Sequence, residues 1–295
     1  MKTVEEKLPN YGGQALIEGV LMRGKKHVVA AFRKPNGDIL VEEEKLGGLY
    51  NAKWSKLPLL RGLIILWDSL SLGMKYLTRS ANVQADEEDE EIGGPVLVMT
   101  LTVSLLFSVL LFFVLPTLIT SLIDQLFPLS ILARNIIEGF VRLSILIIYL
   151  LIIGRSSEIK RVFAYHGAEH KTITAYENGE TIKIDTIQKF STAHPRCGTS
   201  FLLTLVFLSI MFFSLFGEMS LIERIATRIM MIPILAMLSY ELIRWLGKNE
   251  GNPFVKLMSR PNLMLQKLTT REPDDGMVEV AITAFNRLLT LEKIK

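Results

Sequence analysis

The sequence is poor in several residue types that would mark common functional classes. Its single cysteine, Cys197, excludes a disulfide within the chain. The formal net charge is only +3 over 295 residues, so no nucleic-acid partner is expected. Residues 1–12 are polar, and we expect no secretory signal there. The chain has only four histidines, and three of them lie within 29 residues, which makes that region the candidate functional site.

Long uncharged segments, in contrast, are abundant. Hydrophobic residues make up 49% of the chain, and the mean hydropathy is +0.35. A helix needs about 20 apolar residues to cross the hydrocarbon core of a bilayer. Segments that meet or approach this length predict a mainly α, polytopic membrane protein with about four transmembrane helices, at residues 96–123, 135–153, 199–217 and 229–246. The first segment is long enough to tilt, or to bend near Pro116.

The positive charges predict the orientation of these spans. Residues 1–94, the loop 155–198 and the tail 247–295 would share one side of the membrane, and they hold 28 of the 33 Lys and Arg. Because cytoplasmic segments are enriched in Lys and Arg, we expect both termini and the 155–198 loop in the cytoplasm of a bacterial cell. The expected location is the inner membrane, and the lipid bilayer is the first expected partner.

A small β unit is predicted near the N-terminus, on the cytoplasmic side. His27–Arg33 and Ile39–Glu44 flank Asn36-Gly37, which is a strong hairpin signal. The glycine-rich stretch before it, residues 12–24, fits either a buried strand or a short helix, since its periodicity does not decide. Leu57–Leu77 is apolar but interrupted by charges, which favours an interfacial helix, with a fifth span as the alternative.

Three regions follow from these observations. Residues 1–94 form an N-terminal cytoplasmic unit with the β-hairpin and the interfacial helix, and the acidic run 86–91 is a solvated linker. Residues 95–247 form the membrane domain, which includes the cytoplasmic loop 155–198. Residues 248–295 form a cytoplasmic tail, with a Pro- and Asn-rich loop at 249–261 and an amphipathic helix at Met277–Ile294.

The loop 155–198 contains the motif His166-Gly-Ala-Glu169-His170. A helix is expected here, capped by Ser156 or Ser157 and ended by Asn178-Gly179. At 100° per residue, His166 and His170 stand about 40° apart on one face. Two imidazoles so placed can share one metal ion, and Glu169 beside them can serve as a general base. The alternative is a surface helix with incidental His and Glu side chains.

A metal site of this kind needs at least a third ligand. His194 is the first candidate because it is the remaining histidine near the motif. Cys197 is the second, since the start of a helix favours its thiolate. Glu241, near the cytoplasmic end of the fourth span, is the third. If His166, His170, His194 and Cys197 all bound the ion, the site would be closed and structural rather than catalytic.

Two charged residues of the glycine-rich stretch, Glu18 and Arg23, also have two interpretations. The stretch can cover the metal site and offer an acid and a cation to a substrate. The alternative is a turn with a surface ion pair, which contributes little to stability. Residue types alone favour the ion pair.

Three motifs together resemble the YqhQ-like family of bacterial membrane proteins: residues 12–24, residues 165–171 (Tyr-His-Gly-Ala-Glu-His-Lys) and residues 194–201 (His-Pro-Arg-Cys-Gly-Thr-Ser-Phe). Members of that family are described as predicted metal-dependent enzymes of unknown function. The resemblance therefore implies a metal at His166, His170 and nearby groups, and it gives Glu18 and Arg23 more weight. It names no substrate and no reaction.

Three hypotheses about function remain open. The first is a peptidase-like zinc hydrolase at the cytoplasmic membrane border, with a membrane protein or peptide as substrate. The second is a membrane scaffold or assembly factor with a structural metal. The third is a non-haem iron oxidoreductase, which ranks last because the adjacent Glu169 and His170 point apart more than a facial triad prefers. The sequence leaves the oligomeric state open.

Overall fold

The computed structural model describes residues 11–47, 57, 59–85, 93–249 and 251–293. Within them the chain is mainly helical, as predicted, with a four-stranded antiparallel sheet of order β1-β2-β3-β4. The strands are Gly12–Leu16 (β1), Gly19–Arg23 (β2), His27–Arg33 (β3) and Ile39–Lys45 (β4). The helices are Leu60–Gln84 (α1), Gly94–Val109 (α2), Leu115–Leu126 (α3), Ile131–Ile153 (α4), Ser157–Glu177 (α5), Ile184–Ile187 (α6), Ser200–Phe213 (α7), Leu221–Met230 (α8), Ile232–Lys248 (α9), Pro253–Thr269 (α10) and Asp275–Lys293 (α11).

The predicted hairpin at residues 27–45 is confirmed. Strands β3 and β4 pair from His27 opposite Lys45 to Arg33 opposite Ile39, and Gly37 adopts a φ of 92° in the connecting turn. The glycine-rich stretch 12–24 is a second hairpin, β1 and β2, rather than a helix. Its periodicity is uninformative because β2 is covered on both faces, so residues 19–22 are all buried and do not alternate.

The sheet is the middle layer of a three-layer unit. One face packs against α1, where Phe32 and Ala30 meet Tyr76. The other face packs against α5 and α11, where Val29 belongs to the same buried cluster as Tyr165 and Phe285. The N-terminal segment, the 155–198 loop and the C-terminal tail are therefore packed on one another. The division of the chain at residues 94 and 247 stays a prediction.

Two helical segments among the described residues are long and apolar enough to cross a membrane. They are Gly94–Leu126, with 33 residues, and Ile131–Ile153, with 23. Helix α7 is apolar but has 14 residues. The fourth predicted span is divided, because α8 ends at Met230 and α9 begins at Ile232, just before Pro233. Helix length and composition thus support two of the four predicted spans as candidates. The other two spans stay predictions.

The long first span changes its helical winding near Pro116, where a bend was expected. A π-helical turn, Leu110–Val114, joins α2 to α3. Pro116 has no N–H to donate to the carbonyl of Phe112, four residues earlier. Arg142 Nε of α4 donates to this carbonyl at 2.8 Å. A freed carbonyl between apolar helices is thereby satisfied by a side chain of the neighbouring helix.

Two segments near the site differ from expectation. The predicted Pro- and Asn-rich loop 249–261 is mostly wrong, because α10 begins at Pro253 and continues through Pro261. Asn252 caps this helix by accepting from Phe254 N at 2.9 Å, and a proline is favourable in the first turn. The predicted side-chain cap of α5 does not form, since Ser156 Oγ donates to Glu158 instead. The acidic run 86–91 lies outside the described residues.

Candidate metal centre

Helix α5 places the His-x-x-Glu-His motif in the interior of the molecule. Glu169 and His170 are only 4% and 2% exposed, so a surface helix with incidental side chains does not describe this segment. The small residues of the motif permit the close packing. A Cβ on Gly167 would lie 2.1 Å from the carbonyl oxygen of Arg271, whose N–H donates to Phe163 O at 2.9 Å. Gly167 therefore lets the segment after α10 lie directly against α5.

Backbone carbonyls orient the two imidazoles of the motif. The ring centroids of His166 and His170 are 4.3 Å apart. Nδ1 of His166 is 2.9 Å from Thr269 O, and Nδ1 of His170 is 2.6 Å from Thr192 O. Because a carbonyl only accepts hydrogen bonds, Nδ1 carries the proton in both rings and Nε2 keeps its lone pair. Metal-binding histidines in proteins usually have this arrangement.

Cys197 lies beside the two free ring nitrogens. Its Sγ is 3.3 Å from His166 Nε2, and ligand atoms of His166, His170 and Cys197 all lie within 4.8 Å of one another. A tetrahedral zinc ion with bonds of about 2.0–2.3 Å has its ligand atoms roughly 3.3–3.8 Å apart. Two imidazoles and one thiolate are also a zinc ligand set. The three side chains therefore match a zinc ion in residue type, and their ligand atoms lie within 4.8 Å of one another.

The carboxylate of Glu169 borders this group. Its Oε2 is 3.9 Å from His166 Nε2 and 3.7 Å from His170 Nε2. Burial raises the pKa of Glu169, and the nearby histidines oppose this shift. Burial also lowers the pKa of His170, which favours the neutral ring that a metal requires. A buried carboxyl group and the imidazoles of His166 and His170 thus share one small region.

Strand β1 closes over Glu169 at a glycine. A Cβ on Gly13 would lie 2.8 Å from Glu169 Cγ and 2.5 Å from Leu21 O. Any side chain at this position would push against the motif glutamate and the adjacent strand. The glycine-rich stretch therefore lies directly against Glu169, which the absence of a side chain at Gly13 permits.

His194 is close to the site but is engaged elsewhere. Its ring centroid is 5.6 Å from that of His170. Its Nε2 donates to Glu177 Oε2 at 3.3 Å, and its Nδ1 accepts from Arg196 N at 3.3 Å. Gln266 also holds the backbone N–H and carbonyl of His194, both at 2.9 Å. The structure therefore brings Cys197, rather than His194, into the group with His166 and His170.

The three additional candidates from the sequence lie in ion pairs between elements. Glu18, at a positive φ of 50° between β1 and β2, accepts from Arg161 and from Tyr165 Oη of α5. Arg23 donates to Asp68 of α1 at 2.5 Å, so it does not pair with Glu18. Glu241 pairs with Arg61 of α1 and accepts from Leu59 N. The structure does not bring Glu241 together with the imidazoles.

Several contributors to the site could not be found from the sequence. The carbonyl groups of Thr192 and Thr269 act through the backbone, which every residue type has. Gln266 lies in a segment whose helical conformation was not predicted. Among these contributors, only Gly13 could have been suspected from the sequence. Gly12 and Gly13 begin the first of the three motifs that resemble the YqhQ-like family.

Comparisons with known proteins agree with the resemblance. The family described as "Protein of unknown function (DUF1385)" matches residues 57–291. The chain is 35% identical over 302 aligned residues to "Uncharacterized protein YqhQ" of Bacillus subtilis (strain 168), covering 97% of this chain and 94% of that protein. No solved structure matches the chain.

Proposed function

Because the chain belongs to the family of unknown function DUF1385, its function has to be inferred from its own site, and we propose that it is a metal-dependent membrane hydrolase. A divalent ion, with zinc as the best match, would be held by His166, His170 and Cys197. Glu169 would act as the general base. The substrate class that suits this site is a peptide or a membrane protein presented at the cytoplasmic membrane border.

The convergence of three ligand atoms supports this proposal most directly. Nδ1 of each ring is held by a backbone carbonyl, and the thiol sulfur lies 3.3 Å from His166 Nε2. Three protein ligands leave a fourth tetrahedral position, which catalytic zinc sites use and structural sites fill. His194 would stay outside this set, because both of its nitrogens are engaged.

Glu169 has the position that a general base requires. Its Oε2 lies within 4 Å of both ring nitrogens, so water close to them would be within its reach. A bound divalent ion supplies Lewis-acid chemistry that makes water nucleophilic at neutral pH. Oε2 would accept the proton of that water and later return it to the leaving group. Gly13 and the buried surroundings of Glu169 limit access of bulk water to this carboxylate.

The membrane part of the proposal comprises four crossings, in a bacterial inner membrane, with both termini in the cytoplasm. The distribution of Lys and Arg supports this orientation. The two long apolar helical segments support membrane insertion, and the side chains of α2 are largely exposed although they are apolar. An exposed apolar surface of this extent suits contact with lipid.

The experiment that tests the metal is elemental analysis of the full-length protein purified in detergent. We expect about one zinc per chain in the wild type and a large loss in Cys197→Ser and His170→Gln. His27→Gln is the matched control, because His27 lies on β3 and contacts Glu292 of α11 instead. A wild-type protein without stoichiometric metal would overturn the proposal, and iron in place of zinc would favour the oxidoreductase.

The hydrolase is tested with Glu169→Gln. This variant should retain its zinc, and cleavage of a quenched fluorescent peptide library should fall by at least about a hundredfold, the loss typical of a missing general base. The wild type and His27→Gln should cleave equally. A Glu169→Gln variant with full zinc content and full cleavage would contradict the role of Glu169.

A structural metal is the second candidate, and the burial of the ligands favours it. His170 and Cys197 are 2% and 7% exposed, and the site joins α5, the loop before α7 and the end of α10. A structural ion would bind a fourth protein ligand and would stabilise these three segments. X-ray absorption that shows four protein ligands, with rapid proteolysis of the 178–199 segment on chelation, would support it over the hydrolase.

A further inference from the structure

A second cluster of charged side chains lies far along the chain from the metal site, among α3, α4, α7 and α8. Glu138 of α4 is 2% exposed in its side chain and accepts from Arg142, Arg224 and Arg228 at 2.9–3.0 Å. All three arginines are buried. Three buried guanidinium groups against one buried carboxylate leave two positive charges in excess. Buried charges are costly unless they are compensated, so this excess calls for another anion.

The remaining contacts of these arginines are neutral. Arg142 also donates to Ser209 Oγ at 2.9 Å, and Arg228 donates to Asn135 Oδ1 at 2.8 Å. Arg224 donates to Ser121 Oγ at 3.0 Å. Hydroxyl and amide oxygens satisfy donors but carry no charge. Apart from the Nε atom of Arg224, the cluster is thus hydrogen-bonded, but it is still unbalanced in charge.

Arg224 connects this cluster to a cavity of about 480 Å³ between the α3–α4 and α7–α8 connections. The polar lining of the cavity includes Ser121, Asp124, Arg134, Glu218, Ser220 and Arg224. Asp124 is already paired with Arg134 at 2.8 Å, and Glu218 is exposed. Buried Nε atoms of both Arg134 and Arg224 have no acceptor among the described residues. Arg134 and Arg224 therefore both line one polar cavity, and the Nε atom of each is buried beneath its surface.

We propose that this cavity binds a phosphate-bearing anion, with Arg224 and Arg134 as its principal ligands. Guanidinium forks match phosphate oxygens in a bidentate manner. The cavity is larger than one phosphate group needs, and its lining includes the exposed apolar residue Leu221. This combination suits a phosphate that is carried by an anionic lipid head group, and it also admits free phosphate.

The test uses full-length protein and measures its thermal unfolding midpoint. In neutral detergent, inorganic phosphate is titrated against chloride at constant ionic strength. In nanodiscs, pure phosphatidylcholine is compared with a mixture that contains one third phosphatidylglycerol. A rise with inorganic phosphate identifies the free anion as a sufficient ligand, and a rise with phosphatidylglycerol alone identifies the lipid head group. Either rise supports the site, and the absence of both overturns it.

Variants assign the response to the cavity. In Arg224→Gln and Arg134→Gln we expect an apparent affinity at least about tenfold weaker, as the loss of one charged hydrogen bond predicts. Arg134→Gln leaves the Glu138 cluster intact, so it remains informative if Arg224→Gln does not fold. Arg260→Gln, which removes one exposed positive charge on α10, should respond like the wild type. An unchanged response in both cavity variants would overturn the proposal.

Discussion

The chemistry available at His166 and His170 depends on atoms that those residues do not contain. Their spacing brings two rings to one helix face, but the carbonyl groups of Thr269 and Thr192 decide which nitrogen is protonated. Without these acceptors, each ring could present either nitrogen. The carbonyl groups come from the end of α10 and from the loop before α7. Segments that are distant in sequence therefore determine which nitrogen of each ring carries the proton.

Gly13 offers a test of how tightly β1 covers the site. Gly13→Ala should lower the free energy of unfolding by about 1–3 kcal/mol, because the added methyl overpacks against Glu169 and Leu21. Gly12→Ala is the matched control, since a Cβ there meets nothing within 4 Å and should change stability by less than about 0.5 kcal/mol. Denaturant unfolding in detergent measures both. Equal effects of the two substitutions would contradict the close contact.

At this scale the sequence predicted that His166 and His170 share one helix face, but not that the sulfur of Cys197 lies beside them. The spacing of His166 and His170 is a helical property, and a single helix determines it. The choice between His194 and Cys197 depends on the turn that joins them, where Glu177 and Arg196 engage the imidazole. Residue type favoured histidine, whereas the fold brings the sulfur to the site. Only tertiary structure could decide this.

At the scale of elements, α4 and α8 are joined through charge rather than through apolar contact. Glu138 of α4 accepts from Arg224 and Arg228, which lie one helical turn apart on α8. Glu138 also pairs with Arg142, four residues later on the same helix. That pair follows from helical spacing, whereas the sequence could not predict the two arginines of α8, because their face of that helix is set by tertiary packing.

Removal of the Glu138 charge should therefore strongly destabilise the protein. Glu138→Gln leaves three buried arginines without their shared counter-ion and should cost about 3–5 kcal/mol of stability. Glu279→Gln breaks a half-exposed pair with Arg33 and should cost less than about 1 kcal/mol. The loss of stability in the two variants is compared through their midpoints of thermal unfolding in detergent. A Glu138→Gln variant as stable as Glu279→Gln would show that the cluster is not a buried ion network.

The elements that the sequence predicted best have strong local signals. The hairpin at residues 27–45 has Asn36-Gly37 at its turn, and α5 ends at Asn178-Gly179 as expected. Strand β2 and helix α10 lack such signals. β2 is buried on both faces, which removes alternation, and α10 contains Pro261, which argues locally against a helix. Packing overrides the local preference in both cases.

For the whole molecule, the packing of the sheet restricts how the chain can cross a membrane. The sheet contacts both α5 and α11, so these three parts lie on the same side. Between the sheet and α5, the chain must then cross an even number of times. The two candidate spans, Gly94–Leu126 and Ile131–Ile153, would supply two crossings. A further span within residues 57–77 would make the number odd, so the contacts exclude it in this arrangement and favour an interfacial position for α1.

The same argument limits the C-terminal half to two alternatives. Between α5 and α11 the chain crosses either twice, by α7 and by α8 with α9, or not at all. The first alternative gives four spans and the second gives two. Residue Gly217, in the connection between α7 and α8, distinguishes them because it would be outside the cell only with four spans.

We expect four spans, and single cysteines with a membrane-impermeant maleimide test this in intact cells. Phe127→Cys and Gly217→Cys should react from outside, since both positions are exposed and lie in the connections opposite the metal site. Asn178→Cys and Asn286→Cys, which are exposed on the cytoplasmic unit, should react only after permeabilisation. The native Cys197 is buried, so the wild type should remain unlabelled. If Phe127→Cys is labelled from outside and Gly217→Cys is not, the protein has two spans instead of four. If Asn178→Cys is labelled from outside, the orientation is the reverse of the expected one.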